Sequence, residues 1–389
     1  MEPMQITAPL RWSLPPSKSH MIRWMTLIAQ SSGRSSIHFS GTPGLDICSM
    51  ADCLENLGAR FERREGEWIV TGVGQGGFKT PQQTLDCGNS GTAARFLMAI
   101  AAGMKEEVRI DGDRSLRSRE MSGLTSALRN LGCYVSGDDL PLTVSGPAIN
   151  DSTILDLSSS SQPLSAILLA SPSFSFPIRL EIVGSVVSRG YYEMSFDIAV
   201  SCGSKNNFSN GVIEIVPWDV DSPESVTIPA EVSLLPVAML ISELHGIELD
   251  LGEGVSSASI LNLSNGADLL DLSDESDIIC PAAVLMAIGG GGRIMGVSHA
   301  RGKESNRIET TINLLRCFGM DAEEREDGLE IPGNQSAIRP TEPVETFRDH
   351  RLAMTAMALA SRYGGVVSEP EICAVSDPDF ITRLLDLSD

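Results

Sequence analysis

Basic residues are scarce in this chain, yet several of them lie together in short segments. The sequence holds 29 Lys and Arg against 51 Asp and Glu, a net charge of −22. Residues 17–23 contain two basic residues and no acid, residues 112–119 three arginines and one aspartate, and residues 301–307 three bases and one acid. Residues 347–351 add two more arginines. In so acidic a protein, anion binding explains these segments better than a solvated surface does.

The basic segments stand at or beside the predicted starts of helices. A helix N-terminus favours anions through its free N–H groups and its dipole, and added Lys, Arg and hydroxyl groups strengthen that preference. The pattern therefore predicts binding of phosphate or carboxylate groups. Simpler roles stay open for single residues: Lys18 as a surface lysine, Asp277 as a helix N-cap, and Glu304 as an ion-pair partner of Lys303 or Arg307.

Other kinds of site find little support in the sequence. The glycine run at residues 289–292 lacks the Gly-Lys-Ser/Thr ending of a P-loop, and neither a dinucleotide fingerprint nor a Gly-x-Ser-x-Gly elbow is present. His20 and His350 have no spacing typical of metal ligands. The acidic balance argues against nucleic-acid binding and against docking on an anionic membrane.

The cysteines and the N-terminus indicate a cytoplasmic protein. Eight cysteines are scattered without a Cys-x-x-Cys pair, and we interpret them as reduced residues of the core. The first residues lack the basic region and apolar run of a signal peptide, and no run of 18 apolar residues predicts a membrane span.

The elements that must carry the basic segments repeat along the chain. Six segments begin with polar or proline-containing residues near positions 18, 90, 160, 232, 281 and 349 and continue as apolar runs of about three turns. Because these runs are apolar nearly all round, we expect buried helices. Amphipathic helices ending in Leu-Gly or Phe-Gly recur at 50–58, 121–132 and 308–319, with strand-like stretches between. The pattern predicts six α/β units in two domains of three, although α/β proteins often look self-similar without true repeats.

Five motifs in order along the chain resemble the enolpyruvyl transferase family, most closely the branch that acts on shikimate 3-phosphate. They are Pro16-Ser17-Lys18-Ser19, residues 88–95 (Gly-Asn-Ser-Gly-Thr-Ala-Ala-Arg), Ser160-Ser161-Gln162, residues 303–307 (Lys-Glu-Ser-Asn-Arg) and residues 349–354 (Asp-His-Arg-Leu-Ala-Met). The resemblance runs from about residue 13 to the C-terminus. It implies an α/β fold, a two-domain inside-out α/β barrel in which each domain has three βαβαββ-type repeats with buried helices. One domain is expected over residues 1–14 and 229–389 and an inserted one over 15–228, with the active site in the cleft between them.

The resemblance also implies a reaction. The enolpyruvyl group of phosphoenolpyruvate moves to the 5-hydroxyl of shikimate 3-phosphate, through a tetrahedral ketal, and phosphate is released. No metal and no organic cofactor is expected, nor any nucleic-acid or membrane partner, and we expect a monomer. The family relation also suggests that the inhibitor glyphosate fits beside Gly91.

Site residues carry over by position in the motifs. Those implied for phosphoenolpyruvate are Lys18, Gly91, Arg119, Gln162, Arg307 and Arg351. Those implied for shikimate 3-phosphate are Lys18, Ser19, Arg23, Ser160, Ser161, Gln162, Ser188, Asp277 and Lys303. Asp277 is expected to accept the 5-hydroxyl proton, Glu304 to relay a proton at the methylene carbon, and Lys18 to protonate the bridging oxygen.

The chain departs from the family pattern at several positions, namely His299 for an Asn, Asn306 for an Asp, Glu231 for an Asp, and Val375 for a Lys found in some members. Two alternative functions stay open. The related enzymes that act on UDP-N-acetylglucosamine usually carry a loop cysteine where residues 112–119 have none. A non-catalytic repeat-built binding protein would have no reason to place Lys18, Glu304 and Arg351 at helix starts.

Overall fold

A computed structural model describes residues 1–206, 208, 211–250, 262–263 and 266–388. The chain divides into two compact units. Unit 1 comprises Met1–Pro15, Gly41–Gly44 and Ala230–Asp389, and unit 2 comprises Pro16–Ser40 and Leu45–Pro229. No sequence pattern indicated that Gly41–Gly44 groups with unit 1.

Unit 1 contains helices and mixed sheets. Its α-helices in the described part are α8 (Leu235–His245), α9 (Ile279–Ile288), α10 (Arg307–Cys317), α11 (His350–Tyr363) and α12 (Phe380–Leu385). Its strands there are β1 (Leu10–Arg11), β13 (Leu249–Asp250), β14 (Leu269–Asp271), β15 (Gly291–Met295), β16 (Glu323–Arg325) and β17 (Gly328–Pro332). Strand β1 pairs in parallel with β13, and the larger sheet has the order β14-β15-β17-β16.

The described part of unit 2 also combines helices and sheets, and it contains three sheets. Its described helices are α1 (Lys18–Ile28), α2 (Leu45–Asn56), α3 (Gly91–Ala101), α4 (Arg114–Arg117), α5 (Ser122–Asn130), α6 (Gln162–Ala170) and α7 (Arg189–Ser201). Its described strands are β2 (Arg34–His38), β3 (Arg60–Arg64), β4 (Glu67–Thr71), β5 (Leu85–Asp86), β6 (Val108–Asp111), β7 (Tyr134–Val135), β8 (Leu142–Ser145), β9 (Ser152–Asp156), β10 (Ile178–Val183), β11 (Val212–Ile215) and β12 (Ser225–Thr227). The sheet orders are β12-β2-β4-β3, β5-β6-β8-β7 and β11-β10-β9.

The helices predicted to be buried are buried. In unit 2, α3 packs against α6, and both contact α1. In unit 1, α8, α9 and α11 pack against one another. Helix α6 is buried at every position from Pro163 to Ala170, as an all-round apolar run requires. Each of α3, α6 and α9 connects two parallel strands of one sheet, so a short loop after a strand end leads into each helix start.

The chain passes between the units at residues 15–16 and 229–230, and on each side of these crossings a backbone hydrogen bond joins the two segments. In unit 1 the Glu231 N–H donates to the Pro15 carbonyl at 2.8 Å, and in unit 2 the Ser17 N–H donates to the Pro229 carbonyl at 2.8 Å. Within unit 1, Gly44 lies so close to Val375 that an added Cβ would stand 2.5 Å from the Val375 carbonyl oxygen. Only glycine fits there without a backbone shift.

The cysteines form no disulfide. Six are buried, but Cys48 is half-buried and Cys317 is exposed at the end of α10, so the prediction of core cysteines is wrong for these two. Cys317 is exposed because it ends the solvent-facing side of an amphipathic helix. None of the helices in the described ranges is both long enough and apolar enough to cross a membrane. The same ranges contain no cluster of His, Cys, Asp and Glu suited to a metal ion.

Candidate active site

Lys18 is the first residue of α1 and is held by an acid from another helix. Its Nζ donates to Oδ2 of Asp46 at 2.9 Å. Asp46 lies in the first turn of α2 and is buried. Lys18 is therefore not the freely solvated surface lysine of the simpler interpretation. Ser19 follows it in the same turn and is half-buried.

Arg23 lies one turn further along α1 and is fully buried among neutral partners. Its Nε donates to Ser195 Oγ at 2.7 Å, and its Nη2 donates to the Tyr191 carbonyl at 3.0 Å. The guanidinium carbon also lies 5.5 Å from the ring centre of Phe96. Burial lowers the pKa of Arg23 to about 10. Arg23 thus connects α1 with α7, and its role as a ligand for the shikimate phosphate stays a prediction.

Gly91 begins α3, beneath the guanidinium groups of two arginines. A Cβ at Gly91 would stand 2.9 Å from Arg95 Nη1 and 3.2 Å from Arg119 Nη1. Arg119 is buried and donates to Asn89 Oδ1 at 2.6 Å. The Asn89 amide in turn donates to Asp113 at 2.9 Å. Because a neutral amide holds Arg119, the positive charge of the guanidinium is not cancelled by this partner.

Gln162, the first residue of α6, lies beside the same arginine pair. Its Oε1 accepts from Arg95 Nη1 at 2.8 Å, and its Nε2 donates to Thr92 Oγ1 at 3.2 Å. Arg95 also donates to the Gly91 carbonyl at 3.2 Å. The starts of α3 and α6 are therefore joined by one arginine, which brings together the predicted residues Gly91, Gln162 and Arg119.

The predicted serines gather at the starts of α6 and α7. Ser160 Oγ accepts from the Gln162 N–H at 3.2 Å, and Ser161 Oγ donates to the Ser188 carbonyl at 3.0 Å. Ser188 precedes α7 with φ +54°, a left-handed conformation that is uncommon outside glycine. Such strain is typical of binding positions.

In unit 1, Arg307 is a hub for three acids. This fully buried guanidinium lies 2.6 Å from Asp277 Oδ1, 2.6 Å from Glu304 Oε2 and 2.8 Å from Asp349 Oδ2. Burial opposes the charge, but the three acids raise the pKa of Arg307 well above its ordinary value. The two acids predicted to move protons therefore share one cation.

Asp277 and Lys303 complete this group. Lys303 Nζ lies 3.7 Å from Asp277 Oδ1. The cap of α9 is Ile278, whereas the Asp277 carboxylate faces Arg307 and Lys303. The interpretation of Asp277 as only the N-cap of this helix is therefore not supported. Glu304 does form the ion pair with Arg307 that the simpler interpretation proposed.

Arg351, near the start of α11, is buried and firmly held. Its Nη1 and Nη2 donate to the carbonyl and the hydroxyl of Ser233 at 2.8 and 2.7 Å. The Ser233 hydroxyl donates to Glu231 Oε1 at 2.5 Å, so the Glu at this position serves to orient the serine. Asp349 caps α11 by accepting from the Arg351 N–H at 2.9 Å.

The other departures from the family pattern have local explanations. Asn306 caps α10 by accepting from the Glu309 N–H. His299 is buried, with Nε2 2.9 Å from Ser276 Oγ, and burial followed by the charge of Lys303 lowers its pKa to about 4. Val375 is buried in the core of unit 1 and offers no cation.

Several residues of these two groups carried no predicted role. Asp46, Asn89 and Arg95 hold predicted residues in unit 2, and Ser233 and Asp349 do so in unit 1. Asn89, Arg95 and Asp349 stand within the motifs quoted above, so their position could have suggested a role. Nothing near Asp46 in sequence points to Lys18.

Comparison with known proteins shows one family over most of the chain. The profile of the family described as EPSP synthase (3-phosphoshikimate 1-carboxyvinyltransferase) matches residues 6–226 and 247–384. A 3-phosphoshikimate 1-carboxyvinyltransferase from Methanothermobacter thermautotrophicus is 30% identical over 96% of this chain and 94% of its own length. The enzyme of the same name from Geobacillus thermodenitrificans is 31% identical over 96% and 95%.

Solved structures share the fold at lower identity. An EPSP synthase from Acinetobacter baumannii matches with a TM-score of 0.76 at 20% identity, covering 100% of this chain and 97% of that one. The enolpyruvyl transferase NikO from Streptomyces tendae matches with a TM-score of 0.69 at 12% identity, over 99% and 96%. These likenesses confirm the predicted fold class, the two-domain inside-out α/β fold. With the profile match over most of its length, this chain belongs to the EPSP synthase family.

Proposed function

We propose that this protein transfers the enolpyruvyl group of phosphoenolpyruvate to the 5-hydroxyl of shikimate 3-phosphate and releases phosphate. The observation that carries the proposal is the Arg307 group, in which Asp277 and Glu304 each lie 2.6 Å from one buried guanidinium. A substrate carboxylate that binds Arg307 therefore meets two acids able to move protons. Addition followed by elimination needs this combination of cation and acid/base groups.

The addition step uses both acids. Asp277 takes the proton from the 5-hydroxyl, and the oxygen forms a bond to C2 of phosphoenolpyruvate. The double bond of phosphoenolpyruvate opens, and its methylene carbon takes a proton relayed by Glu304, which gives the tetrahedral ketal. Arg119, Arg307 and Arg351 bind the anionic groups of phosphoenolpyruvate, and Gly91 and Gln162 contact the same substrate.

In the elimination step the proton that was added to the methylene carbon is removed again. The methyl group returns a proton to Glu304, the new double bond forms, and the bond to the bridging oxygen breaks. Lys18 protonates that oxygen, so phosphate leaves. The acceptor is bound by the other predicted residues, namely Ser19, Arg23, Ser160, Ser161, Gln162, Ser188 and Lys303, together with Lys18 and Asp277.

Phosphate release tests the proposal directly. Purified protein is incubated with phosphoenolpyruvate and either shikimate 3-phosphate or UDP-N-acetylglucosamine, and inorganic phosphate is measured. We expect phosphate release when the acceptor is shikimate 3-phosphate but not when it is UDP-N-acetylglucosamine. The product should have the mass of the enolpyruvyl ether. Release with UDP-N-acetylglucosamine instead assigns the chain to the other acceptor. Release with neither contradicts the proposed activity.

We further propose that the protein acts as a cytoplasmic monomer without a metal or organic cofactor. Free cysteines suit a reducing compartment, and the chemistry above requires only side chains of this chain. Light scattering after gel filtration should give a mass near 41.6 kDa. Full activity after extended dialysis against EDTA is expected, and loss of activity that Mg²⁺ restores would contradict the metal-free mechanism.

A further inference from the structure

The pair formed by Lys18 and Asp46 differs from the other ion pairs on α2. The side chains of Lys18 and Asp46 are only 17% and 4% exposed. On the same helix Asp52 and Glu55 pair with Arg63, and their side chains are 59% and 40% exposed. Exposed pairs of that kind contribute little to stability because water already solvates both charges. A buried pair must offset the loss of that solvation.

The position of Asp46 suits a negative charge. It lies in the first turn of α2, where the helix dipole and free N–H groups favour a carboxylate. Helix α2 packs against α1, which brings Asp46 beside a lysine 28 residues earlier in the chain. The acid is thus fixed by its own helix, and the lysine is the flexible partner.

A lysine without such a partner has many rotamers. Its four-carbon stem lets the ammonium group move over several ångströms, and ordering it during a reaction has an entropic cost. Contact with Asp46 restricts Nζ to one position before substrate arrives. An ammonium group carries three N–H donors, so it can contact Asp46 and donate to a phosphate oxygen at the same time.

We propose that Asp46 is a positioning residue, which holds Lys18 Nζ where it protonates the bridging oxygen of phosphoenolpyruvate. The inference rests on the proposed function. Asp46 itself does not contact substrate and acts only through Lys18. Loss of Asp46 should therefore affect the chemical steps, in which Lys18 must be in place, more than the binding of substrate.

The first test compares substitutions at Asp46 with a matched control on the same helix. We expect Asp46→Ala to lower kcat by about 10- to 100-fold, because misplacing a catalytic group by an ångström has effects of that size. Asp46→Asn keeps an acceptor oxygen and should lie between the alanine variant and the unchanged protein. KM for phosphoenolpyruvate should change less than kcat. Asp52→Asn, on the exposed face, should leave both constants unchanged.

A double-mutant cycle separates positioning from general destabilisation. In a Lys18→Ala background, replacing Asp46 by Ala should lower single-turnover product formation by no more than about 2-fold, since the residue through which it acts is gone. Equal losses with and without Lys18 would overturn the proposal. So would an Asp46→Asn variant with normal kcat. If the alanine variant does not fold, the asparagine variant replaces it in the kinetic comparison and in the double-mutant cycle.

The two proposals fail in different ways. If the unchanged protein releases no phosphate from phosphoenolpyruvate and shikimate 3-phosphate, the proposed function fails and the role of Asp46 falls with it. If the unchanged protein is active and the Asp46 variants equal it, only the positioning role is wrong.

Discussion

Arg307 Nη1 lies 2.6 Å from Asp277 Oδ1, so the proposed base faces a buried positive charge. An asparagine at 277 would keep an oxygen acceptor for this contact and preserve the local packing. It could not take a proton from a hydroxyl group.

We therefore expect Asp277→Asn to fold and to bind substrates, yet to lose about 100-fold or more in kcat, the usual contribution of a general base. Phosphate release measures the rate, and thermal unfolding checks the fold. Asp321→Asn, at an exposed ion pair of the same unit, serves as the control and should be fully active. Near-normal turnover of the Asp277 variant would show that another group takes the proton.

Gly91→Ala should weaken binding of glyphosate more than that of phosphoenolpyruvate. The added methyl group would stand 2.9 Å from Arg95 Nη1 and 3.2 Å from Arg119 Nη1, so both guanidinium groups would have to shift. Overpacking of this kind costs roughly 1–3 kcal/mol, or about 5- to 150-fold in the inhibition constant. Gly123→Ala is the control, because its Cβ would meet only Pro163 at 3.9 Å. An unchanged inhibition constant would place the inhibitor away from Gly91.

Asn89→Asp tests whether the positive charge of Arg119 contributes to binding of phosphoenolpyruvate. The new carboxylate would keep the 2.6 Å contact but neutralise the guanidinium, and it would also face Asp113, which now accepts from the Asn89 amide. Hydrogen bonds to charged groups contribute about 1.5–3 kcal/mol, so KM for phosphoenolpyruvate should rise about 10- to 150-fold. Asn56→Asp, on the exposed end of α2, is the control. A normal KM for phosphoenolpyruvate in this variant would show that Arg119 does not bind that substrate.

His299 should make stability depend on pH between about 4 and 6.5. Burial and the charge of Lys303 lower its pKa to about 4, against 6.5 for an ordinary histidine. Between these values the unfolded chain binds a proton that the folded protein does not, so the free energy of unfolding rises with pH there and falls as the solution is acidified. The full difference is roughly 3 kcal/mol.

Urea unfolding at several pH values measures this effect as the difference between the unchanged protein and His299→Asn. The variant should lose less stability on acidification. His38→Asn, at an exposed position, is the control and should follow the unchanged protein. Parallel curves for all three proteins would show that His299 titrates normally.

The sequence predicted local features better than distant contacts. The sequence predicts the buried helices because a polar start and an apolar run, as at Ser161 and α6, are neighbours in the chain. Helix α7 was missed, since its surface mixes polar residues with exposed apolar ones such as Val200. The partners of Arg23 lie up to 172 residues away, at Ser195, and no spacing in the sequence shows that it points into the helical core. The same holds for Asp46, whose link to Lys18 depends on how α1 and α2 pack.

The paired chain crossings have a mechanical consequence. Apart from Gly41–Gly44, which group with unit 1, the residues of unit 2 run from Pro16 to Pro229, and the Ser17 N–H donates to the Pro229 carbonyl, so this unit is a loop inserted into unit 1 and closed at its base. A force that pulls on the two ends of the protein therefore travels through unit 1, by way of the β1–β13 pairing and the contact of Pro15 with Glu231. Unit 2 bears no tension while those contacts hold. A pulled molecule should lengthen first by the residues of unit 1, and the loop should extend only in a second, separate event.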